Sequence, residues 1–137
     1  MKKITLLLGL FLLLSCSQST DEKLVLINGY WEIASVTTTE GVTKEFSLSQ
    51  NVDFIEIQNG KGIRKKVQPD AMGNFITSDA SENIDVEIKE NKLLLNYSTA
   101  FDTWTETVIE VSKDKLKVEN QNGNTYTYRR YQPLINN

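Results

Sequence analysis

The sequence predicts an all-β fold, an antiparallel up-and-down β-barrel of about eight to ten strands. Three observations favour this fold. From residue 29 onward, strand-like runs alternate with turn dipeptides at short and fairly even intervals. Apolar and polar residues alternate in the second half with a period of two, and no window carries a sustained apolar period of about 3.6 residues. Closure into a barrel is expected because it buries the exposed edges of such a sheet.

Length and charge exclude several classes of protein. The 137 residues allow one domain with a core and leave no room for a second. A formal net charge of −3 repels phosphate groups, so a nucleic-acid partner is not expected. The basic cluster Arg64-Lys65-Lys66 has no interleaved aromatic residues that could stack on bases, and we expect it in a solvated edge strand.

The N-terminal segment is predicted to be a secretory signal. Lys2 and Lys3 precede an apolar run, residues 4–14, that is too short for a membrane-spanning helix of roughly 20 residues. Residues 13–16, Leu-Leu-Ser-Cys, resemble the lipobox of bacterial lipoproteins, in which the cysteine becomes the lipid-modified first residue. Cys16 is the sole cysteine of the sequence, so we expect it to anchor the mature chain to a membrane.

These features divide the chain into a signal peptide at residues 1–15, a polar tether at 16–23 and the barrel at 24–137. The expected location is the cell envelope, on the periplasmic or surface face of the outer membrane, since Ser17 after the cysteine resembles lipoproteins that are sent onward. Removal of residues 1–15 takes the formal charge from −3 to −5, because Lys2 and Lys3 are lost. Ser19 and Glu22 have the spacing of a capping box, which predicts a short helical turn over one end of the barrel.

The first strand is expected to begin at Gly29. Trp31 and Ile33 alternate, but Val36 breaks the parity, which predicts a bulge in a strand that serves two parts of the barrel. Asn59-Gly60 and Asn122-Gly123 are the strongest hairpin signals that follow. The remaining predicted turns are Glu40-Gly41, Gly73-Asn74, Asn91-Lys92 and Lys113-Asp114.

In the second half the inward face is easier to predict. Ile84, Val86 and Ile88 alternate with charged residues, and Leu93 and Leu95 repeat the pattern. The strand that ends near residue 111 is ambiguous, since apolar residues stand on both of its faces.

The opening strand carries a family resemblance. Asn28-Gly29-Tyr30-Trp31, followed by Ser35-Val36, resembles the Gly-x-Trp strand of lipocalins, especially the short lipocalin-like domains of bacterial lipoproteins, and the likeness covers residues 24–131. The resemblance implies that Trp31 lies at the closed end of the barrel and that an arginine of the last strand packs on it. Arg129 and Arg130 both stand at the matching position. Such a cation–π contact contributes on the order of 1 kcal/mol.

Catalysis is not expected. The sequence has no histidine and its one cysteine is expected to carry lipid, which excludes Ser-His-Asp and Cys-His arrangements. Carboxylate pairs such as Asp53 with Glu56 or Asp102 with Glu106 are expected to be solvated surface. A calcium-loop spacing is present, but it lacks the required glycine and its flanks are strand-like, so neither a metal nor a cofactor is predicted.

Two classes of function remain open. The first is a lipid-anchored carrier that holds a small apolar ligand inside the barrel, lined by Phe54, Phe75, Tyr97 and Trp104. The second is an accessory envelope lipoprotein with a filled barrel that docks onto a protein partner. The interior volume of the barrel distinguishes them.

Overall fold

The fold is described by a computed structural model that covers residues 17–47 and 49–133. The predicted signal peptide and Cys16 lie outside the described residues. In chain order the elements are α1 (Thr20–Ile27), β1 (Gly29–Thr37), β2 (Thr43–Glu45), β3 (Val52–Gln58), β4 (Lys61–Pro69), β5 (Phe75–Lys89), β6 (Lys92–Ser98), β7 (Thr103–Val111), β8 (Lys115–Asn120) and β9 (Thr125–Arg130). Within the described ranges, no helix is long and apolar enough to cross a membrane.

The strands form a closed antiparallel barrel. The sheet runs in the order β2-β1-β3-β4-β5-β6-β7-β8-β9, and the additional pairing of β1 with β9 closes it through eight strands. β2 stays outside the closed ring, since it pairs only with the second half of β1. The all-β barrel prediction is therefore confirmed.

The predicted irregularity of β1 is present. Its register with β9 shifts between Ile33 and Ser35, so Ala34 is an extra residue on β1. On its other side β1 pairs with β3 through residues 29–31 and with β2 through residues 35–37. The bulge lies where β1 passes from one partner to the other.

Two tight turns have left-handed backbone. Asn59 and Gly60 have φ values of 54° and 77°, as a type I′ hairpin turn requires. Glu90 and Asn91 have φ values of 50° and 65° and connect the paired residues Lys89 and Lys92. The β5–β6 turn is therefore centred one residue earlier than predicted.

Helix α1 covers the end of the barrel at which β1 begins. The Ser19 side chain caps the helix by accepting a hydrogen bond of 3.2 Å from the Glu22 backbone amide, in accordance with the predicted capping box. Ile27 is fully buried, and Leu24 and Leu26 pack against the core. Because α1 begins at Thr20, the last four residues of the segment predicted as a tether belong to the helix.

Apolar side chains fill the half of the barrel below α1. Its core contains residues from six strands: Trp31, Ile55, Ile57, Ile84, Leu93, Leu95, Val108, Val111, Leu116 and Val118. A void of only about 10 Å³ remains where this core meets Arg64, Tyr97 and Glu106. This closed half is packed, as protein interiors normally are.

β5 bends sharply in its first half. Lys65 pairs with Ser81 and Val67 with Thr77, so three β5 residues stand opposite Lys66 alone. Extra residues on one strand bend it away from the sheet. The tip of the β4–β5 hairpin consequently lies against the outside of the barrel, where Phe75 stacks on Tyr30 with a ring separation of 4.4 Å.

Candidate functional site

The closed end is held by a stack of Arg130 on Trp31. The guanidinium carbon of Arg130 lies 3.8 Å from the centre of the Trp31 ring. The same guanidinium donates hydrogen bonds of 2.8 Å to the backbone carbonyls of Leu26, Asn28 and Lys113. It therefore joins α1, β1 and the β7–β8 turn at one point.

Arg129 points to the outer face instead. Its Nε donates to Glu32 at 3.1 Å, and its terminal nitrogens donate to the carbonyls of Phe46 and Ser47. Of the two candidate arginines, Arg130 is thus the one on Trp31.

Gly29 has a structural reason to be glycine. Its φ is +124°, which L side chains rarely adopt, and a Cβ there would lie 2.7 Å from Nη1 of Arg130. The Gly-x-Trp pattern therefore leaves space for the arginine that covers the tryptophan.

The opposite end of the barrel is an open mouth. A cavity of about 340 Å³ lies there, between the upper interior and the β8–β9 turn. Its lining comes from β3, β4, β7, β8, the β8–β9 turn and β9: Asp53, Arg64, Lys66, Trp104, Thr105, Glu106, Asn120, Gln121, Asn122, Tyr126 and Tyr128. Charged, amide and aromatic side chains thus converge on one opening.

Arg64 is the centre of a buried charged layer below the mouth. Its guanidinium lies 4.2 Å from the centre of the Tyr97 ring. Its Nε donates to Glu82, and its Nη1 lies 3.5 Å from Glu106. The Arg64 side chain is only 13% exposed, so these contacts are largely shielded from solvent.

A second ion pair lies beside the first. Lys66 Nζ donates to the Asp53 carboxylate at 2.6 Å, and the side chains are 64% and 8% exposed, respectively. The carboxylate therefore belongs to the interior, whereas the ammonium group stands at the opening.

Burial changes the acid–base properties of this layer. Desolvation raises the pKa of Glu106, against the opposing effects of Arg64 and a hydrogen bond from Tyr97. Desolvation also raises the pKa values of Tyr97 and Tyr128, with nearby carboxylates adding to the effect. For Arg64, desolvation alone would lower the pKa, but Tyr97 and the two glutamates raise it above its usual range. At neutral pH the layer therefore holds a charged guanidinium and two neutral phenols.

A side cleft adjoins the mouth. It has a volume of about 340 Å³ and is lined by Arg64, Lys66, Ser78, Ala80, Ser81, Glu82 and Thr99. The bend of β5 opens it, because β6 pairs with β5 only as far as Asn83. Arg64 and Lys66 line both the mouth and this cleft.

Comparison with known families identifies the fold. The family model described as a lipocalin-like domain matches residues 27–118. The chain belongs to the lipocalin-like family. No curated protein matches this chain in sequence.

Two solved structures resemble this lipocalin-like barrel. One is a lipocalin-like protein from Bacteroides uniformis, with 13% sequence identity and a TM-score of 0.48, covering 76% of this chain and 97% of its own. The other is an uncharacterized protein from Bacteroides eggerthii, with 12% identity and a TM-score of 0.48, covering 76% of this chain and 98% of its own.

The four aromatic residues predicted to line the lipocalin-like barrel do not share one site. Tyr97 is buried in the interior and stacks on Trp104 at 5.4 Å, near the mouth. Phe54 and Phe75 lie outside: Phe54 pairs with Tyr30, which faces away from the core because its neighbour Trp31 faces into it. Their prediction as lining residues is corrected accordingly.

Sequence reasoning missed the charged lining. Arg64 was expected on a solvated edge strand, and Asp53 and Glu106 on solvated outer faces, yet all three point inward. For Asp53 a signal existed, since it alternates with the inward residues Ile55 and Ile57. For Arg64 the signal was misleading, because the apolar Val67 of β4 lies on the outer face under the bent hairpin.

The lipocalin-like interior also lacks the expected apolar chamber within the described residues. The closed half is filled to a void of about 10 Å³, and the larger cavity above it is lined mainly by polar and charged groups. A long-chain fatty acid could not be buried there without displacing Arg64 or the core.

Proposed function

We propose that the chain is a lipid-anchored binding protein of the bacterial envelope, without enzymatic activity, that holds a small polar ligand in the barrel mouth. The observation that carries this proposal is the cavity of about 340 Å³ in which Asp53, Arg64, Lys66 and Glu106 converge beside Trp104. Its size lies within the usual range of small-molecule sites, roughly 300–1,000 Å³.

The lining favours a polar ligand that is neutral or zwitterionic. Two basic and two acidic side chains face the cavity, so no single sign of charge selects a simple anion or cation. The amides of Asn120 and Gln121 add donors and acceptors, and the Trp104 ring supplies an apolar face. A ligand with a flat apolar side and several hydrogen-bonding groups matches this combination, whereas a fatty acid does not.

The ligand proposal is tested by thermal shift with free amino acids, monosaccharides and disaccharides, and with oleate as the apolar comparator. A ligand present at 100 times its Kd stabilises the fold by about 2.7 kcal/mol. We expect saturable stabilisation by a polar compound and none by oleate. Saturable binding of oleate, or no response to any polar compound, would overturn the proposal.

Matched glutamates of β7 localise the site. Glu106→Gln should weaken binding at least tenfold, since it removes a charged acceptor that is 11% exposed at the mouth. Glu110→Gln, on the same strand but 52% exposed beside Lys115, should leave binding unchanged. Equal effects of the two substitutions would place the ligand elsewhere.

The lipid anchor is tested separately. We expect the wild-type protein to incorporate labelled palmitate and to fractionate with membranes, and Cys16→Ala to lose the label. Membrane attachment through acylation requires more than one chain to be stable, so the intact mass should show a multiply acylated Cys16. Unchanged labelling of the Cys16→Ala variant would refute the anchor.

A second candidate function, docking to an envelope protein, is favoured by the mouth rim. Phe101 is 98% exposed, and Val42 is 64% exposed. The Phe101 turn is held in place, because the Thr99 hydroxyl accepts from the amides of Phe101 and Asp102. A fixed turn that displays an aromatic ring is typical of an interface anchor.

This candidate predicts a partner that contacts the rim. A photo-crosslinking residue at Phe101 should capture one envelope protein, and the same residue at Ile109, an exposed apolar position (48%) on the outer wall, should not. Capture of the same protein at both positions, or at neither, would count against docking through the rim.

A further inference from the structure

We infer that a groove on the outer wall of the barrel is a second ligand site, which takes a short neutral oligosaccharide. This outer groove lies between the tip of the β4–β5 hairpin (residues 68–73), the end of the β2–β3 loop (residues 49–50) and the chain after β9 (residues 131–132). The inference goes beyond the proposed function, because the outer groove and the mouth share no lining residue.

The outer groove is large enough for a ligand of more than one ring. Its volume is about 790 Å³, more than twice the 340 Å³ or so of the mouth cavity. Small-molecule sites usually measure roughly 300–1,000 Å³, so this volume lies in the upper part of that range.

The hairpin wall of the outer groove has a defined shape. Phe75 stacks on Tyr30 with a ring separation of 4.4 Å, which fixes the hairpin to the outer face of β1. At the tip, the Asp70 carboxylate accepts hydrogen bonds of 2.8 Å from the backbone amides of Met72 and Asn74. An aspartate that bonds the backbone of its own turn stabilises that turn.

The loop wall is held by a buried carboxylate. Glu32 follows the inward Trp31 and therefore points to the outer face, yet its side chain is only 10% exposed. It accepts hydrogen bonds of 2.8 Å from the Ser49 amide and 3.1 Å from Nε of Arg129. Arg129 also donates to two backbone carbonyls of the same loop. These contacts hold the loop against β1 and β9 where it borders the groove.

Tyr131 supplies an aromatic surface between the two walls. Its backbone amide donates to the Tyr30 carbonyl at 3.0 Å, and its ring makes a T-shaped contact with Phe75 at 5.7 Å. The ring is half-buried and lines the outer groove. A ring held in place offers an apolar face and a hydroxyl group at little cost in side-chain entropy.

The charges of the lining favour a neutral ligand. Among the described residues that line the outer groove there is no lysine or arginine, and the two carboxylates already have partners. Hydrogen bonds, that of the Asn74 amide foremost, lower the pKa of Asp70, so this group stays ionised at neutral pH and repels an anion. A cation would have to compete with Arg129 for Glu32 and with the amides of the turn for Asp70.

Amide side chains supply the remaining polar groups. Gln50, Gln68 and Gln132 line the outer groove, and all three are exposed. Gln68 donates to the side-chain oxygen of Asn51 at 3.1 Å. An amide both donates and accepts hydrogen bonds, as a sugar hydroxyl requires, and an aromatic face suits the apolar side of a sugar ring. This combination selects an oligosaccharide over an apolar or a charged ligand.

NMR spectra of the isotopically labelled full-length chain test the site. The chain is held in dodecylphosphocholine micelles, because this detergent has no sugar headgroup that could compete. The neutral probes are maltotriose, cellotriose and N-acetylchitotriose, and the charged comparators are trigalacturonate and deacetylated chitotriose. We expect at least one neutral trisaccharide to shift the side-chain amide signals of Gln50 and Gln132 saturably. No saturable shift with any neutral trisaccharide, or equal or tighter binding of a charged comparator, overturns the inference.

Amide variants test the recognition. Gln50→Ala combined with Gln132→Ala should weaken trisaccharide binding at least about tenfold, measured through the backbone signal of Gly73, because hydrogen-bonding partners of the sugar are removed. The matched control, Gln121→Ala combined with Asn122→Ala, removes two exposed amides at the mouth and should leave this binding unchanged. Equal affinities of the two double variants refute the outer groove as the site.

Tyr131 variants test the class of ligand. Tyr131→Leu should weaken binding at least about fivefold, whereas Tyr131→Phe, which keeps the ring and its contact with Phe75, should weaken it less. Wild-type affinity in Tyr131→Leu would exclude an aromatic platform for a sugar.

The same spectra separate this inference from the proposed function. A ligand in the mouth should shift the indole signal of Trp104 and lose affinity in Glu106→Gln, whereas trisaccharide binding in the outer groove should be unaffected by that substitution. Shifts confined to the outer groove support the inference whatever the mouth binds. Shifts confined to the mouth overturn it and leave the proposed function standing.

Discussion

Replacing Arg130 tests how the closed end is held together. The Arg130→Ala change removes one cation–π contact, worth about 1 kcal/mol, and three hydrogen bonds to backbone carbonyls, each contributing net roughly 1 kcal/mol. With allowance for partial exposure of the side chain, we expect the free energy of unfolding to fall by about 3 kcal/mol. Urea unfolding measures this loss through the transition midpoint at constant m-value.

A double-mutant cycle with Trp31→Leu separates stacking from the carbonyl contacts. Arg130→Ala should couple to the tryptophan change by about 1 kcal/mol. Arg129→Ala is the matched control; it leaves Glu32 without its cation, but it should show no coupling to Trp31 beyond about 0.5 kcal/mol. A loss below 1 kcal/mol for Arg130→Ala, or equal coupling for both arginines, would refute the reasoning.

Gly29→Ala extends the same test. The new Cβ would meet Nη1 of Arg130, and the backbone at φ +124° would be strained by about 1–3 kcal/mol. Combination with Arg130→Ala should relieve the steric part of the loss and leave the backbone strain. Strict additivity of the two free-energy changes would show that Arg130 is not the reason for a glycine at position 29.

Three further predictions concern the interior. Burial raises the pKa of Glu106 in the folded state, so the contribution of this carboxyl to stability is present below about pH 4.5 and is lost as the pH rises through the raised pKa. The stability of the wild type relative to Glu106→Gln, measured by urea titration, should therefore fall from pH 4 to pH 7. A rise would contradict the burial of this carboxyl. Tyr97 and Tyr128 should remain unionised at pH 11 in ultraviolet difference spectra until the protein unfolds, whereas normal titration near pH 10 would place them in solvent. Trp31→Ala should cost about 3–5 kcal/mol, since the side chain is fully buried and donates to the Ile27 carbonyl, and a loss below 1 kcal/mol would exclude a core position.

The closed half of the barrel could be predicted because local signals and burial agree there. Ile84 alternates with polar residues, and Leu93 and Leu95 keep the period of two although Leu94 between them is apolar, so this period marks the inward face correctly. The Asn59-Gly60 pair fixes one hairpin through left-handed backbone that few other residues adopt. Such signals need no knowledge of distant parts of the chain.

The outer aromatic cluster could not be predicted, since it depends on a long-range bend. Phe75 joins Tyr30, Phe54 and Tyr131 on the outside only because β5 carries extra residues opposite Lys66. The alternation of β3 did place Phe54 outside, since it stands between the inward Asp53 and Ile55, but no local pattern distinguishes Phe75 from barrel lining. The same bend exposes the side cleft, so the error about Phe75 and the omission of the cleft have one cause.

The charged layer could not be predicted for a thermodynamic reason. Sequence-based expectation places Arg, Asp and Glu outside, because burial of an ion costs several kcal/mol unless pairing offsets it. In this protein Arg64 interacts with Glu82, Glu106 and the Tyr97 ring, and Lys66 pairs with Asp53. The interactions that offset the cost of burial therefore come from partners on other strands. A single sequence does not show which residues meet across strands.

The position of this layer is itself an argument about function. Replacement of buried ion pairs by apolar residues of similar volume is often neutral or stabilising, so stability alone does not require Arg64 and Glu106. The closed half shows that this chain can fill a barrel with apolar side chains down to a void of about 10 Å³. Polar residues replace that packing only beneath the mouth, next to the cavity and Trp104. Departures from stable packing that coincide with a cavity are characteristic of binding sites, because recognition needs groups that packing would exclude. This coincidence supports the mouth, rather than the filled interior, as the place where the ligand binds.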